Sequence, residues 1–363
     1  MPMNFAIAAG GTGGHLFPGL AVGEVLRARG HEVMLIVSEK EIDSVATKGR
    51  AEFRIEKVPG VGLQGKSPVA LLKFALKFYA GLRQCRALFA EFKPAAVIGM
   101  GGFTSLAPIL AGRKMKVPRF VHDSNAIPGK ANKLNARFCT AVLLGFSECA
   151  QYFPGRESIV TGTPVRSSLV ERVDRAKAIE SFNLTPAAKT LLVMGGSQGA
   201  HGLNVALTKA LTAIQGSNLQ VIHLAGKGDE EMVRDAYAKA GVPAFVAPFF
   251  HEMERAYSAA DFAIARSGAA SLTELSHFAL PSILIPYPFA AEDHQTLNAK
   301  IFERAGAALL LPERDASAEV LAEKIQSLLD GNRLATMSER AGLLAQRDAA
   351  ERVADVILTH ASR

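Results

Sequence analysis

Cysteine is scarce in this chain of 363 residues. Cys85, Cys139 and Cys149 are odd in number and form no C-x-x-C pair, which argues against a disulfide framework or a zinc site and fits a reducing cytoplasm. Long apolar runs are missing too. None approaches the ~18 to 20 residues of a membrane span, and the opening MPMNFAIAAGG has no basic segment ahead of its strand-length apolar stretch, so neither a signal peptide nor an anchor is expected. No D-x-D pair offers a metal bridge to a sugar-nucleotide diphosphate, and neither a metal nor a cofactor is expected. Acid is nearly absent between Glu56 and Asp123, where eleven Lys and Arg face Glu91 alone. Through Thr163 the chain carries 21 Lys and Arg against 11 Asp and Glu, whereas the remainder is slightly acidic. Such a field favours a phosphate-rich partner, nucleic acid or an anionic membrane surface.

What is present has a globular balance, with 49% hydrophobic and 21% charged residues in a length that suits two domains of about 150 to 200 residues. Strand-length apolar segments at 4–9, 32–37, 95–98, 119–122 and 140–144 alternate with amphipathic stretches such as GLAVGEVLRARG, a pattern that predicts a doubly wound, parallel α/β sheet. The pattern restarts at KTLLVM (189–194) and continues at 219–224, 244–247, 262–265 and 282–285. Setting Gly195 over Gly10 aligns Gly196 with Gly11, Ser197 with Thr12 and Gly199 with Gly14. The chain therefore reads as two Rossmann-like halves joined near Thr163 to Arg166, with ligand expected in a cleft at the carboxyl ends of both sheets.

At the first strand-to-helix joint stands GGTGGH, residues 10–15. Glycines let backbone N–H groups approach a ligand closely, and a helix N-terminus favours negative charge, so phosphate is the expected occupant. Neither this loop nor GGSQG completes G-x-G-x-x-G, which disfavours a dinucleotide. Glu39 stays open between a ribose ligand and a solvated loop acid. In the second half, RSGAASLTE (266–274) follows a strand and opens a helix. Ser267 reads as a cap, and Ser271 with Glu274 has capping-box spacing. Glu274 is therefore either a cap partner or a carboxylate for ribose hydroxyls, with Arg266 near phosphate. Gln295 and Asn298 share a helix face and suit sugar hydroxyls.

Seven motifs, in order over nearly the whole chain, resemble the MurG family of N-acetylglucosaminyltransferases: GGTGGHLFPGLAV, MGGF (100–103), HDSNAIPGKANK (122–133), GTPVR (162–166), GGSQGA (195–200), RSGAASLTE and DHQTLNA (293–299). The resemblance implies a GT-B fold, α/β, with two Rossmann-like domains facing a cleft. Residues 1–163 would form an acceptor and membrane-binding domain, joined by a C-terminal helix of about 345–363, and 164–344 a UDP-GlcNAc-binding domain. It implies an inverting transfer of GlcNAc from UDP-GlcNAc to the 4-hydroxyl of MurNAc in lipid I, giving lipid II, at the cytoplasmic face of the inner membrane. Cell-wall synthesis proteins are the expected protein partners, and nucleic acid is not a partner. By carry-over, Ser197 and Gln295 contact diphosphate or sugar, Glu274 the ribose, and Asn125 and Arg166 the donor's bound groups. Phe250 occupies the uracil position through its main chain. Thr12, Gly13 and Gly14 border the diphosphosugar, and the loop holding Gly101 and Gly102 is a candidate for the acceptor's pyrophosphate. Thr163 and the pair Asp123-Ser124 depart from the family's GNPVR and HEQN, which bears on fine geometry.

A single in-line displacement needs a base beside the acceptor hydroxyl. His15 is the first candidate, its alternative role being to orient a loop or touch phosphate; Asp123 is a distant second. In VALLKFALKFYAGLRQCRAL (69–88), Lys73, Phe74, Lys77, Phe78 and Arg83 mark an aromatic, basic helix, read either as an ordinary buried-face helix or as a patch resting on anionic lipid. Two rivals share much of this pattern: another GT-B enzyme, such as a UDP-GlcNAc 2-epimerase, and a catalytically idle UDP-sugar scaffold.

Overall fold

Successive residues of a strand point to opposite faces, and in the first strand both faces are buried. Phe5 and Ile7 pack with Leu16, Leu20, Val353 and Ile357, whereas Ala6 and Ala8 pack with Leu82, Cys85 and Phe89. Burial on both sides is why these strands read as continuous apolar runs. The computed structural model describes residues 1–39, 50–59, 67–169, 171–195, 200–214 and 218–362. These divide into two units, Met1–Ser167 with Gln346–Arg363, and Ser168–Ala345.

The first unit is built on seven parallel strands: β1 (Asn4–Ala8), β2 (Glu32–Val37), β3 (Arg54–Lys57), β4 (Ala96–Gly99), β5 (Arg119–Asp123), β6 (Ala141–Leu144) and β7 (Ser158–Val160). Their order is β3-β2-β1-β4-β5-β6-β7. Helices Gly13–Ala28 and Ala349–Ala361 contribute to the core on one face, and Pro68–Phe92 and Leu106–Met115 to the core on the other. The second unit has six parallel strands: β8 (Lys189–Met194), β9 (Leu219–Leu224), β10 (Ala244–Ala247), β11 (Phe262–Ala265), β12 (Ser282–Leu284) and β13 (Ala308–Leu310). They run β10-β9-β8-β11-β12-β13.

Every strand expected from the sequence is present, and β3, β7 and β13 are additional. In both sheets the order reverses once, between β1 and β4 and between β8 and β11. A reversal leaves a crevice at the strands' carboxyl ends. The paired ends there are Ala8 with Gly99 and Met194 with Ala265. The glycine loops and the RSG turn follow those ends. Among the described residues no helix is long and apolar enough to cross a membrane, and the three cysteines are free and buried.

Candidate active site

At the β1/β4 reversal the loop after each strand is tied to the other. Thr104 Oγ1 donates to the Gly10 carbonyl at 2.8 Å, and Met100 N donates to the Ala8 carbonyl. The helix Gly13–Ala28 starts with Thr12 at its N-cap, no side chain capping it and no acid in its first turn. An uncapped, acid-free helix start is an anion site in physical terms. Gly11 needs its glycine, with φ +110°. Gly14 does not: a Cβ there would come no closer than 3.9 Å to Thr12 Oγ1. Gly14 thus leaves room on the loop that the protein itself does not fill.

His15 stands in that first turn, half-buried, with Nδ1 3.2 Å from Thr12 Oγ1. Its ring lies on the MGGF loop. A Cβ on Gly101 would sit 2.7 Å from His15 Nε2, and one on Gly102 would sit 3.3 Å from Cε1. Both glycines also hold positive φ, +126° and +75°. Only residues without a side chain can take that backbone and leave space for the imidazole. Ser105 Oγ holds the turn by donating to the Gly101 carbonyl, and Asn135 Nδ2 donates to the Gly102 carbonyl.

β5 ends in a buried polar cluster beside these loops. His122 Nε2 donates to the Gly162 carbonyl at 2.8 Å and Nδ1 accepts from Ser124 Oγ at 3.4 Å. Complete burial pushes the imidazole down to about 4, so it is neutral at pH 7. Asp123 accepts from Asn125 N, Gly129 N and Asn132 Nδ2 at 2.9 to 3.2 Å. Burial nonetheless pushes its carboxyl up to about 6. With both oxygens engaged, Asp123 organises the loop that presents Asn125 and is poorly placed as a base. The Arg166 guanidinium stacks over Phe17 at 4.6 Å, with its Nε buried and lacking a partner. Glu39 is exposed just beyond β2.

In the second unit, the RSG turn after β11 leads into the helix Ala269–His277, whose N-cap is Gly268. The helix begins before Ser271, so the capping box expected between Ser271 and Glu274 does not form. Glu274 lies a turn farther in, accepting from Tyr257 Oη at 2.6 Å. Nor does Ser267 cap the helix. Its hydroxyl donates to the Gln295 carbonyl at 2.8 Å, while its own carbonyl accepts from Asn298 Nδ2 at 3.2 Å. Ser267 thereby locks the RSG turn to the helix His294–Arg304. Gln295 Oε1 accepts from Tyr287 N at 2.9 Å, and Asn298 is fully buried. Arg266 is 7% exposed, donates to the Ile285 and Pro286 carbonyls and pairs with Glu313 at 3.0 Å. Those partners make it a brace beneath the turn. Phe250 packs its ring on Phe182 and Phe245. Ser197 lies outside the described residues.

The helix Pro68–Phe92 refines the expected lipid patch. Phe74 and Phe78 stack on each other and are half-buried, Phe74 edge-on to Phe103. The exposed apolar side chains are Val69, Leu71, Leu72, Leu76 and Tyr79, at 47 to 64% exposure. Val69, Leu72, Leu76 and Tyr79 fall on one stripe by their spacing of three and four. Lys73, Lys77 and Arg83 flank it, also exposed.

A third glycine-rich stretch, GVGLQGKS at 60–67, has letters that fit a P-loop and stands outside the seven motifs. Residues 60–66 lie outside the described residues. Ser67 caps the following helix by accepting from Ala70 N, with proline next in the chain. Tyr257, Thr104 and Asn135 also went unforeseen, because each acts through a partner remote in sequence. Among the described residues no group of three or more His, Cys, Asp or Glu side chains could hold a metal ion.

Residues 5–144 match the glycosyltransferase family 28 N-terminal domain and residues 190–353 its C-terminal domain. The chain is 39% identical over 362 residues to the UDP-N-acetylglucosamine–N-acetylmuramyl-(pentapeptide) pyrophosphoryl-undecaprenol N-acetylglucosamine transferase of Geobacter metallireducens, covering 98% of each. It is 38% identical to the protein of the same name from Geobacter sulfurreducens, covering 97% of each. Among solved structures it is similar to MurG of Acinetobacter baumannii, with a TM-score of 0.80 at 28% identity over 99% of this chain and 100% of that one.

Proposed function

The chain belongs to glycosyltransferase family 28, and from that premise we infer that it transfers GlcNAc from UDP-GlcNAc to lipid I to form lipid II, with a GT-B fold. The observation that carries this reading is end-to-end likeness to enzymes named for that reaction, in a chain with a ligand-ready loop at each sheet's reversal point. The reaction is an inverting displacement. The 4-hydroxyl oxygen of MurNAc forms a bond to C1 of GlcNAc, the bond from C1 to the phosphate oxygen breaks, UDP leaves with that electron pair, and the hydroxyl proton passes to a base.

The roles we assign follow the geometry of each unit. On the second unit, Glu274 accepts from the ribose hydroxyls and Gln295 lines the sugar side, while Asn298, fully buried and donating to the Ser267 carbonyl, joins Ser267 in fixing their helix rather than meeting the sugar. The main chain at Phe250 takes the uracil. Negative charge developing on UDP is met by helix N-termini and backbone donors. On the first unit, His15 is the base, oriented by Thr12 and seated on Gly101 and Gly102. An imidazole is a side chain suited to taking up a proton in this role. The exposed stripe on Pro68–Phe92 rests on anionic lipid, where an undecaprenyl-linked acceptor is found.

Incubation with radiolabelled UDP-GlcNAc and a short-chain lipid I analogue tests these roles. Wild-type protein converts the label into lipid-linked disaccharide. His15→Ala lowers kcat by roughly 100-fold or more with UDP affinity retained, and Glu274→Ala raises the donor KM. UDP binding without transfer would instead favour a different acceptor or a scaffold.

A further inference from the structure

Tyr257 is 2% exposed in the helix Met253–Ala259, its ring against Phe278 with centroids 5.1 Å apart. Phenylalanine would fill that space equally well. A buried phenol instead has to satisfy its hydroxyl, and this one donates to Glu274 Oε2 at 2.6 Å while lying 3.6 Å from Met194 Sδ. Three elements meet at that oxygen. Met253–Ala259 follows directly on the segment holding Phe250, Glu274 belongs to the helix after the RSG turn, and Met194 ends β8. Short hydrogen bonds to a carboxylate are stronger than neutral ones and restrict its plane. A carboxylate that accepts from two neighbouring ribose hydroxyls needs a fixed plane, since misalignment loses one of the two bonds.

We propose that Tyr257 is a positioning residue for the donor: through Glu274 Oε2 it sets the carboxylate for the ribose diol and fixes its distance from the uracil-binding main chain at Phe250. The proposal rests on the reading of Glu274 as the ribose anchor. Calorimetry with UDP and with 2′,3′-dideoxy-UDP, on wild type, Tyr257→Phe, Glu274→Gln and the double variant, tests it. Tyr257→Phe keeps the ring against Phe278. It weakens UDP binding by roughly 10-fold and raises the donor KM by a similar factor, with kcat held within about twofold. Dideoxy-UDP binds wild type and Tyr257→Phe equally, and the double variant binds UDP no more weakly than Glu274→Gln alone.

Equal UDP affinity in Tyr257→Phe and wild type, beside a weakened Glu274→Gln, would overturn the role of Tyr257 and leave the ribose anchor standing. Equal loss for UDP and dideoxy-UDP in Tyr257→Phe would reduce it to packing. Wild-type UDP affinity in Glu274→Gln would overturn the ribose anchor itself, and this proposal with it.

Discussion

Gly101 shows how a single residue couples backbone conformation to chemistry. Its φ is +126°, and a side-chain carbon attached there would lie 2.7 Å from His15 Nε2, which leaves no room for a methyl group. Gly101→Ala is expected to cost ~1 to 3 kcal/mol of stability and to lower kcat more than donor affinity, read by urea unfolding and by transfer kinetics. Buried histidines set a second residue-scale expectation. His122 is pushed down to about 4, and His223, held between Asn204 and Tyr237, to about 3. Both are neutral when folded and take a proton when unfolded below about 6.5, so their contribution to stability is lost as pH falls from 6.5 toward 4 and 3. Asp123, pushed up to about 6, opposes them: the folded state takes its proton first, which gains stability as pH falls from 6 toward 3.8. The histidines outweigh it, and urea midpoints should correspond to a loss of about 2 to 3 kcal/mol between pH 7.5 and 5. Asp123→Asn removes the opposing contribution and steepens that decline; an unchanged slope would contradict the assignment. At this scale the sequence was legible where a residue acts through its own type, as with the paired glycines. It was not where the partner is distant, as with Tyr257 and Glu274, or where a helix starts three residues early and unmakes the capping box at Ser271.

The helix Pro68–Phe92 carries the clearest expectation for an element. Ser67 accepts from Ala70 N at 3.2 Å, so Ser67→Ala should cost about 1 kcal/mol in urea unfolding. The solvent-facing stripe has no partner role in the core, which lies on the opposite side at Leu82, Cys85 and Phe89. Leu72→Ser with Leu76→Ser, and separately Lys73→Glu with Lys77→Glu, should each weaken binding to anionic vesicles by roughly tenfold or more and leave UDP affinity unchanged. Undiminished flotation of both variants would remove the lipid role. The sequence disclosed the helix and its charge but not its rotation, since aromatic rings at Phe74 and Phe78 suit either a buried or an interfacial face. The unforeseen strands have a common cause. β3, β7 and β13 are sheet edges only three or four residues long; β3 and β7 also lack the apolar run of a central strand, whereas β13 takes three residues of an apolar stretch, AALLL at 307–311.

Across the whole molecule, the same device occurs twice: a parallel sheet reverses its strand order, and loops rich in glycine and small polar residues follow the strands at the reversal. That duplication was readable because the offset between GGTGG and GGSQG is visible in the letters. His15 lies in the helix that follows one copy, and Glu274 and Gln295 belong to helices of the other unit. The most direct test is structural identification, by NMR, of the product formed from UDP-GlcNAc and a lipid I analogue. A β-(1→4) link from GlcNAc to MurNAc, with one UDP released per bond formed, is the expected result. An α link, a different hydroxyl, or UDP released with an epimerised or free sugar would contradict it.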